Sequence, residues 1–170
     1  MRIGMIHQPH FLPWPGYIAR CFAADVFIVL DSVKFKKNHY HQRTRYVGTD
    51  GYMRWLTLPI AHSTATGPIS EVRLADSFRL RSWQRPFIHH YKHTANFQVV
   101  WDNVCSRIDE GRPSLLAVNL GTLAYLFQML AGATGANTPK VILGSSLVAS
   151  ASRTDRLRDL CASAGVTHLM

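Results

Sequence analysis

The sequence predicts an α/β fold, a mostly parallel sheet flanked by helices in a three-layer arrangement of the Rossmann-like or nucleotidylyltransferase-like kind. Three observations predict it. The apolar runs Ile3–Ile6 and Val26–Leu30 are separated by one helix-sized segment. Strand, loop, helix and strand within about 30 residues is the size of a βαβ unit, whose crossover is right-handed. The pattern returns late in the chain, where Val141–Leu143 is followed by an amphipathic stretch and a second apolar run. Finally, 47% of the 170 residues are hydrophobic, enough to bury one core, so residues 1–170 read as a single domain.

Ile3–Ile6 ends at His7 and has the length and apolarity of a buried strand. Residues 7–16 are rich in Pro and aromatics, and Pro13 or Pro15 suits the first turn of a helix over Tyr17–Ala24. Asp25 opens the strand Val26–Leu30 as a turn residue, and Asp31 closes it. Gly48–Gly51 is a turn, and Met53–Ile60 is a strand that pairs with the basic stretch before it. Ile69–Leu74 reads as an edge strand. A helix runs from an N-cap at Ser77 to Tyr91, with Pro86 marking a break or a second start, and another from near Asn96 to about Ile108. Ser114 caps the clearest helix, Leu115–Leu130, which ends before Gly132 and Gly135. Val141–Leu143 is a short strand and Thr154–Ala164 the last helix. Gly165 and Val166–Met170 then read as a repeat entering its next strand, like a chain cut short.

Charge points to the ligand class. Nineteen Lys and Arg against ten Asp and Glu give a formal charge of +9, which favours anionic partners, with phosphate as the simplest common factor. Three widely spaced cysteines match neither a disulfide framework nor a zinc finger and fit a reducing cytoplasm. The N-terminus is not that of a signal peptide. The longest apolar stretch, Leu115–Ala133, is interrupted by Asn119, Gly121, Gln128 and Gly132, so no membrane span is expected. Walker A, GxGxxG, HExxH and G-x-S-x-G patterns are all absent from the chain.

Ligands of open parallel sheets bind beyond the carboxyl ends of the strands. Those ends are His7 and Asp31. His7-Gln8-Pro9-His10 delivers one imidazole to the sheet rim and a second on a rigid turn, suited to stabilising phosphate charge, donating a proton or holding a metal. His7, His10 and Asp31 are therefore the expected catalytic residues. Gln8, Trp14 and Tyr17 follow in the same loop. Lys34–Tyr46 is the densest basic run, and its alternating charges place cations on one strand face. Lys37, Arg43 and Arg45 are the expected anion-binding residues, with Phe35, Tyr40 and Tyr46 available to stack on a base. Ser145 and Ser146 follow the Val141 strand as ligand donors or turn caps. No metal ligands are assigned. The cofactor this reading admits is a nucleotide with Mg²⁺, and the partner a phosphate-bearing small molecule or sugar nucleotide rather than nucleic acid.

The run His7-Gln8-Pro9-His10-Phe11-Leu12-Pro13-Trp14-Pro15-Gly16-Tyr17, followed by Ala24-Asp25 and Asp31, resembles the opening of the WbqC-like family. Val33-Lys34-Phe35-Lys36-Lys37, Gln42–Arg45, Trp55-Leu56-Thr57-Leu58-Pro59, Ser145-Ser146-Leu147 and Thr154 extend the resemblance over most of the chain. Two departures stand out. His10 occupies a position where the family usually has Asn, and about the last quarter of the family's length is missing. The resemblance implies a role in bacterial surface polysaccharide (O-antigen-type) biosynthesis, with acyl or glycine-type aminoacyl transfer to a sugar or sugar nucleotide. Two other readings stay open: a nucleotidylyl-type transferase using His7 and His10 on a triphosphate, and a non-catalytic polyanion-binding module.

Overall fold

The computed structural model describes residues 1–149 and 153–170, and the side chain of Thr154 lies outside the described residues. In chain order the elements are β1 (Ile3–His7), α1 (Pro15–Phe22), β2 (Val26–Val29), β3 (Arg43–Val47), β4 (Met53–Thr57), α2 (Leu80–Trp83), α3 (Arg85–Tyr91), α4 (Phe97–Gly111), α5 (Leu115–Thr134), β5 (Lys140–Leu143), α6 (Arg153–Ser163) and β6 (His168–Leu169). The chain divides into two compact units. The first comprises Met1–Pro9, Pro13–Val33 and Leu126–Met170; the second comprises His10–Leu12 and Lys34–Tyr125.

The first unit is the parallel sheet, in the order β5-β2-β1-β6. Alternation along the strands gives it two apolar faces. Val26 and Ile28 pack with Leu160 of α6 and with Ala164 and Val166 that follow it. On the other face, Cys21 of α1 reaches Met5 at 3.6 Å, and Tyr17 stands edge-on to Phe27 at 5.9 Å. Phe22 meets Phe127 of α5 edge-on at 5.5 Å on this side. Helices on both faces complete the three layers, and each fully buried Val, Ile or Phe contributes about 1.5–3 kcal/mol. Pro15 starts α1 after the extended Trp14, where its missing N–H costs no hydrogen bond. Asp25 ties two strand starts together: its carboxylate accepts from Ile3 N at 2.7 Å, and its own N–H donates to Ile3 O.

The second unit is built around the antiparallel β3–β4 hairpin, with Arg45 opposite Trp55 and Tyr46 opposite Arg54. Gly51 takes φ +80° in its turn, a conformation that suits glycine. One hairpin face is closed. Its Tyr46 and Leu56 are buried, and Tyr46 stands edge-on to Phe87 of α3, which contacts Trp101 of α4 at 4.4 Å. Both indole N–H groups in this layer are satisfied, Trp83 by Thr57 O and Trp101 by Gln84 Oε1, each at 2.7 Å.

Three expectations change here. Ile69–Leu74 is no strand: Ile69–Glu71 forms a 3-10 turn, and only single bridges follow, Ile60 with Leu74 and Arg73 with Ser114. Ile69, Val72 and Leu74 are all buried, a spacing that strand alternation does not provide. The helix expected from Ser77 starts only at Leu80, while its second start at Pro86 is present, with Pro86 in the first turn of α3. Ser114 does cap α5, its hydroxyl accepting from Ala117 N at 3.2 Å, but the helix continues to Thr134. By length and composition α5 is the one helix among the described residues apolar enough to cross a membrane, a test that core helices also pass. Of the polar residues that interrupt it, Asn119 is absorbed by the fold while Gln128 stays exposed. Asn119 and Thr122 are buried, donating to His41 O and Val118 O.

Candidate functional site

The sheet order β5-β2-β1-β6 places a topological switch point between β1 and β6, because the chain leaves β1 in one direction for β2 and β5 and returns on its other side. Such points open a crevice beyond the strand carboxyl ends. His7 is the last residue of β1. Its Nδ1 lies 3.0 Å from Gln8 O, and a carbonyl only accepts, so Nδ1 carries the hydrogen. In the neutral ring the basic lone pair then belongs to Nε2. Tyr17 donates its hydroxyl to the same Gln8 O at 2.9 Å, and its ring stands edge-on to His7 at 5.1 Å. Tyr17 is 2% exposed, so its observed contacts orient the loop. Trp14 is 54% exposed, and its indole lies over Gly16, where any Cβ would meet the ring at 1.7 Å.

Asp31 and Ser145, 114 residues apart in sequence, meet at the same carboxyl ends. The Asp31 carboxylate is 1% exposed and accepts from Ser145 N at 2.9 Å and Ser145 Oγ at 2.6 Å. β2 and β5 pair in parallel up to Val29 and Leu143, so this contact locks their ends together. The adjoining Gly144 passes so close that a Cβ would sit 3.0 Å from Val29 O. Ser146 caps its own turn, donating to Leu143 O at 2.7 Å. Arg156 of α6 donates to Ser32 Oγ beside Asp31, bringing to this rim a guanidinium that sequence reasoning missed.

The other candidates lie in the second unit. His10 is buried, stacked on Tyr40 at 5.3 Å, with the His39 and His41 rings 6.3 and 6.4 Å away. Among the described residues no three of His, Cys, Asp or Glu are arranged to hold a metal ion. Lys37 is exposed in the turn before β3. Arg43 and Arg45 share the open hairpin face, as alternation requires, and both reach one indole: their Cζ atoms lie 3.9 and 4.8 Å from the Trp55 ring centroid. Tyr40 adds its ring at 5.7 Å. Neither arginine forms a salt bridge among the described residues, and the Arg43 Nε is buried without a hydrogen-bond partner. Two guanidiniums over one aromatic ring, with no carboxylate to compensate them, form an anion-seeking surface. Trp55 is the residue here that sequence reasoning left out. Its signal was its register opposite Arg45, which requires the hairpin pairing.

Residues 8–170 match the WbqC-like protein family. The chain belongs to that family. It is also similar to an uncharacterized protein, Rv1507c, of Mycobacterium tuberculosis (strain ATCC 25618 / H37Rv), with 24% identity over 166 residues covering 96% of this chain and 69% of that protein. No solved structure matches. In this WbqC-like protein Gln8 and Pro9, the Trp-x-Gly-Tyr run, Asp31 and Ser145 all belong to the matched region, and His7 immediately precedes it.

Proposed function

We propose that this WbqC-like protein is a cytoplasmic transferase of surface polysaccharide biosynthesis that moves an acyl or glycine-type aminoacyl group onto a sugar or sugar nucleotide. The observation that carries this reading is the His7–Gln8–Tyr17 arrangement at the switch point. An imidazole whose Nδ1–H is held by a carbonyl presents Nε2 as a general base. Nε2 takes the proton from the attacking amine or hydroxyl of the sugar. The nucleophile closes on the acyl carbon, and the donor's leaving group, a phosphate-bearing group, departs with the bonding electrons. Tyr17 and Gln8 position the base. Asp31, locked to Ser145, keeps the ends of β2 and β5 in place. Lys37, Arg43 and Arg45 form the second unit's own anion-binding face.

The test pairs binding with turnover on the full chain. Thermal unfolding is followed with ATP, CTP, UDP-sugars, acyl-CoA and a short DNA, each with and without Mg²⁺. One phosphate-bearing small ligand is expected to raise the melting temperature, by an amount equivalent to about 2.7 kcal/mol at a hundred times its dissociation constant. With that donor and an amino sugar, His7→Gln is expected to lower turnover at least about 10²-fold while leaving the thermal shift in place. Pyrophosphate release from a nucleoside triphosphate, lost in His10→Asn, would instead establish nucleotidylyl transfer. Salt-sensitive DNA binding with no small-ligand shift would leave a polyanion-binding module.

A further inference from the structure

We infer that the open face of the β3–β4 hairpin docks the protein on an anionic lipid bilayer, with the hairpin turn entering the interface. The inference rests on the reading of this face as anion-binding and names its anion. The turn end of the hairpin is apolar and exposed: Val47 is 46%, Met53 58% and Tyr52 72% exposed. Val47 and Met53 are cross-strand partners, so they form one apolar pair. The next pair on the same face is Arg45 and Trp55, two residues further from the turn. At about 3.4 Å per residue, that pair lies about 7 Å behind the apolar one.

This sequence of layers matches a bilayer surface. Interfacial elements bury their apolar side to a depth of roughly 5–10 Å, while indoles and guanidiniums favour the headgroup level. Arg43, one further pair back, continues the cationic face, and both guanidiniums lie over Trp55. The charge of the turn itself is neutralised. Asp50, the only acid in residues 43–57, accepts from Arg54 Nη1 at 2.6 Å and from Arg54 Nη2. Its carboxyl is held well below the usual carboxylate range, first by that Arg54 hydrogen bond and then by the Tyr52 backbone N–H. No net negative charge therefore opposes anionic headgroups at the tip. The hairpin is also braced. Val47 N donates to Tyr91 Oη at 3.3 Å and Thr49 N to His90 Nδ1 at 3.2 Å, which sets the basic end of α3, with its exposed Lys92, beside the turn.

The experiment is co-sedimentation of the full chain with sucrose-loaded vesicles of phosphatidylcholine alone and of phosphatidylcholine with phosphatidylglycerol, at low and physiological salt. Pelleting is expected only with the phosphatidylglycerol vesicles. It should weaken about tenfold in the doubly substituted Tyr52→Ser/Met53→Ser protein, which loses exposed side chains only, and weaken again as salt screens the headgroups. As a second readout, vesicles with brominated acyl chains should quench tryptophan emission in the wild type and not in Trp55→Phe. Unchanged pelleting of the double variant overturns the inference. So does an absence of pelleting while a phosphate-bearing ligand still shifts thermal unfolding, an outcome that leaves the anion-binding reading standing. Absence of both removes that reading as well. A dimer in sedimentation velocity that the same two substitutions dissolve, or DNA binding that survives them, would overturn the bilayer in favour of a second copy or a nucleic acid.

Discussion

At the carboxyl end of β2, the Asp31 carboxylate is almost wholly removed from water and accepts two hydrogen bonds from a single residue. A bond from a neutral donor to a buried charge is worth about 1.5–3 kcal/mol, more than a neutral pair, because water is kept from the charge. Ser145→Ala is therefore expected to lower unfolding free energy by about 1.5–3 kcal/mol in urea titration, with Ser146→Ala costing less because its hydroxyl serves one exposed turn. Single residues were partly legible in the sequence. The places of His7, Asp31 and Ser145 at strand ends were legible. The pairing of Asp31 with Ser145 was not, since local sequence does not report a contact across 114 residues. Trp55 and Arg156 were missed for the same reason. A tryptophan in a strand and an arginine in a helix are ordinary until register and packing bring them to Arg45 and Ser32.

At the scale of elements, the β3–β4 hairpin separates two kinds of side chain on two faces. Leu56 is 4% exposed on the closed face and Met53 is open to solvent on the other. Leu56→Ala is expected to cost about 2–5 kcal/mol, whereas Met53→Ser should stay within about 0.5 kcal/mol, both read from denaturant midpoints at unchanged slope. The junction of α4 with α5 is equally specific. A Cβ at Gly111 would stand 2.6 Å from Val118 N and 2.7 Å from its Cα, and helix backbone has little room to move. Gly111→Ala is expected to destabilise by about 1–3 kcal/mol, despite alanine's better helix propensity. The hairpin was readable because alternation of Arg43 and Arg45 is local. Ile69–Leu74 was not, because a 3-10 turn at Ile69–Glu71 followed by single bridges buries Ile69, Val72 and Leu74 at a spacing that resembles a broken strand.

For the molecule as a whole, the cysteines set an alkaline limit. Burial pushes the thiols of Cys21 and Cys105 up to about 12 from an ordinary 9.0. In the unfolded chain they ionise near 9.0, so above that pH the unfolded state binds fewer protons and is stabilised relative to the fold. Their contribution is complete below pH 9 and is lost as pH rises toward 12. Unfolding midpoints are expected to hold from pH 7 to about 8.5 and fall beyond it, with a shallower fall in Cys21→Ala. The parallel sheet was legible from the repeated strand-helix-strand pattern at both ends of the chain. The division into two compact units was not. Apart from His10–Leu12, the second unit lies inside the connection from β2 to β5, and the change of composition at its edge, the basic run that starts at Lys34, reads as a ligand site rather than as a boundary.

That interruption governs the order in which the protein is made. β2 lies between β1 and β5, yet β5 begins at Lys140, more than a hundred residues after β2 ends at Val29. At roughly 5–20 residues per second, the ribosome needs about 6–22 s to supply the missing neighbour. During that time Val26–Val29, fully buried in the finished sheet, has an unpaired edge, while nearly all of the hairpin and helical unit has already been synthesised. The hairpin unit is thus available to fold first during translation, and the growing chain passes through a stage at which an apolar strand awaits its partner and is exposed to chaperones and to aggregation.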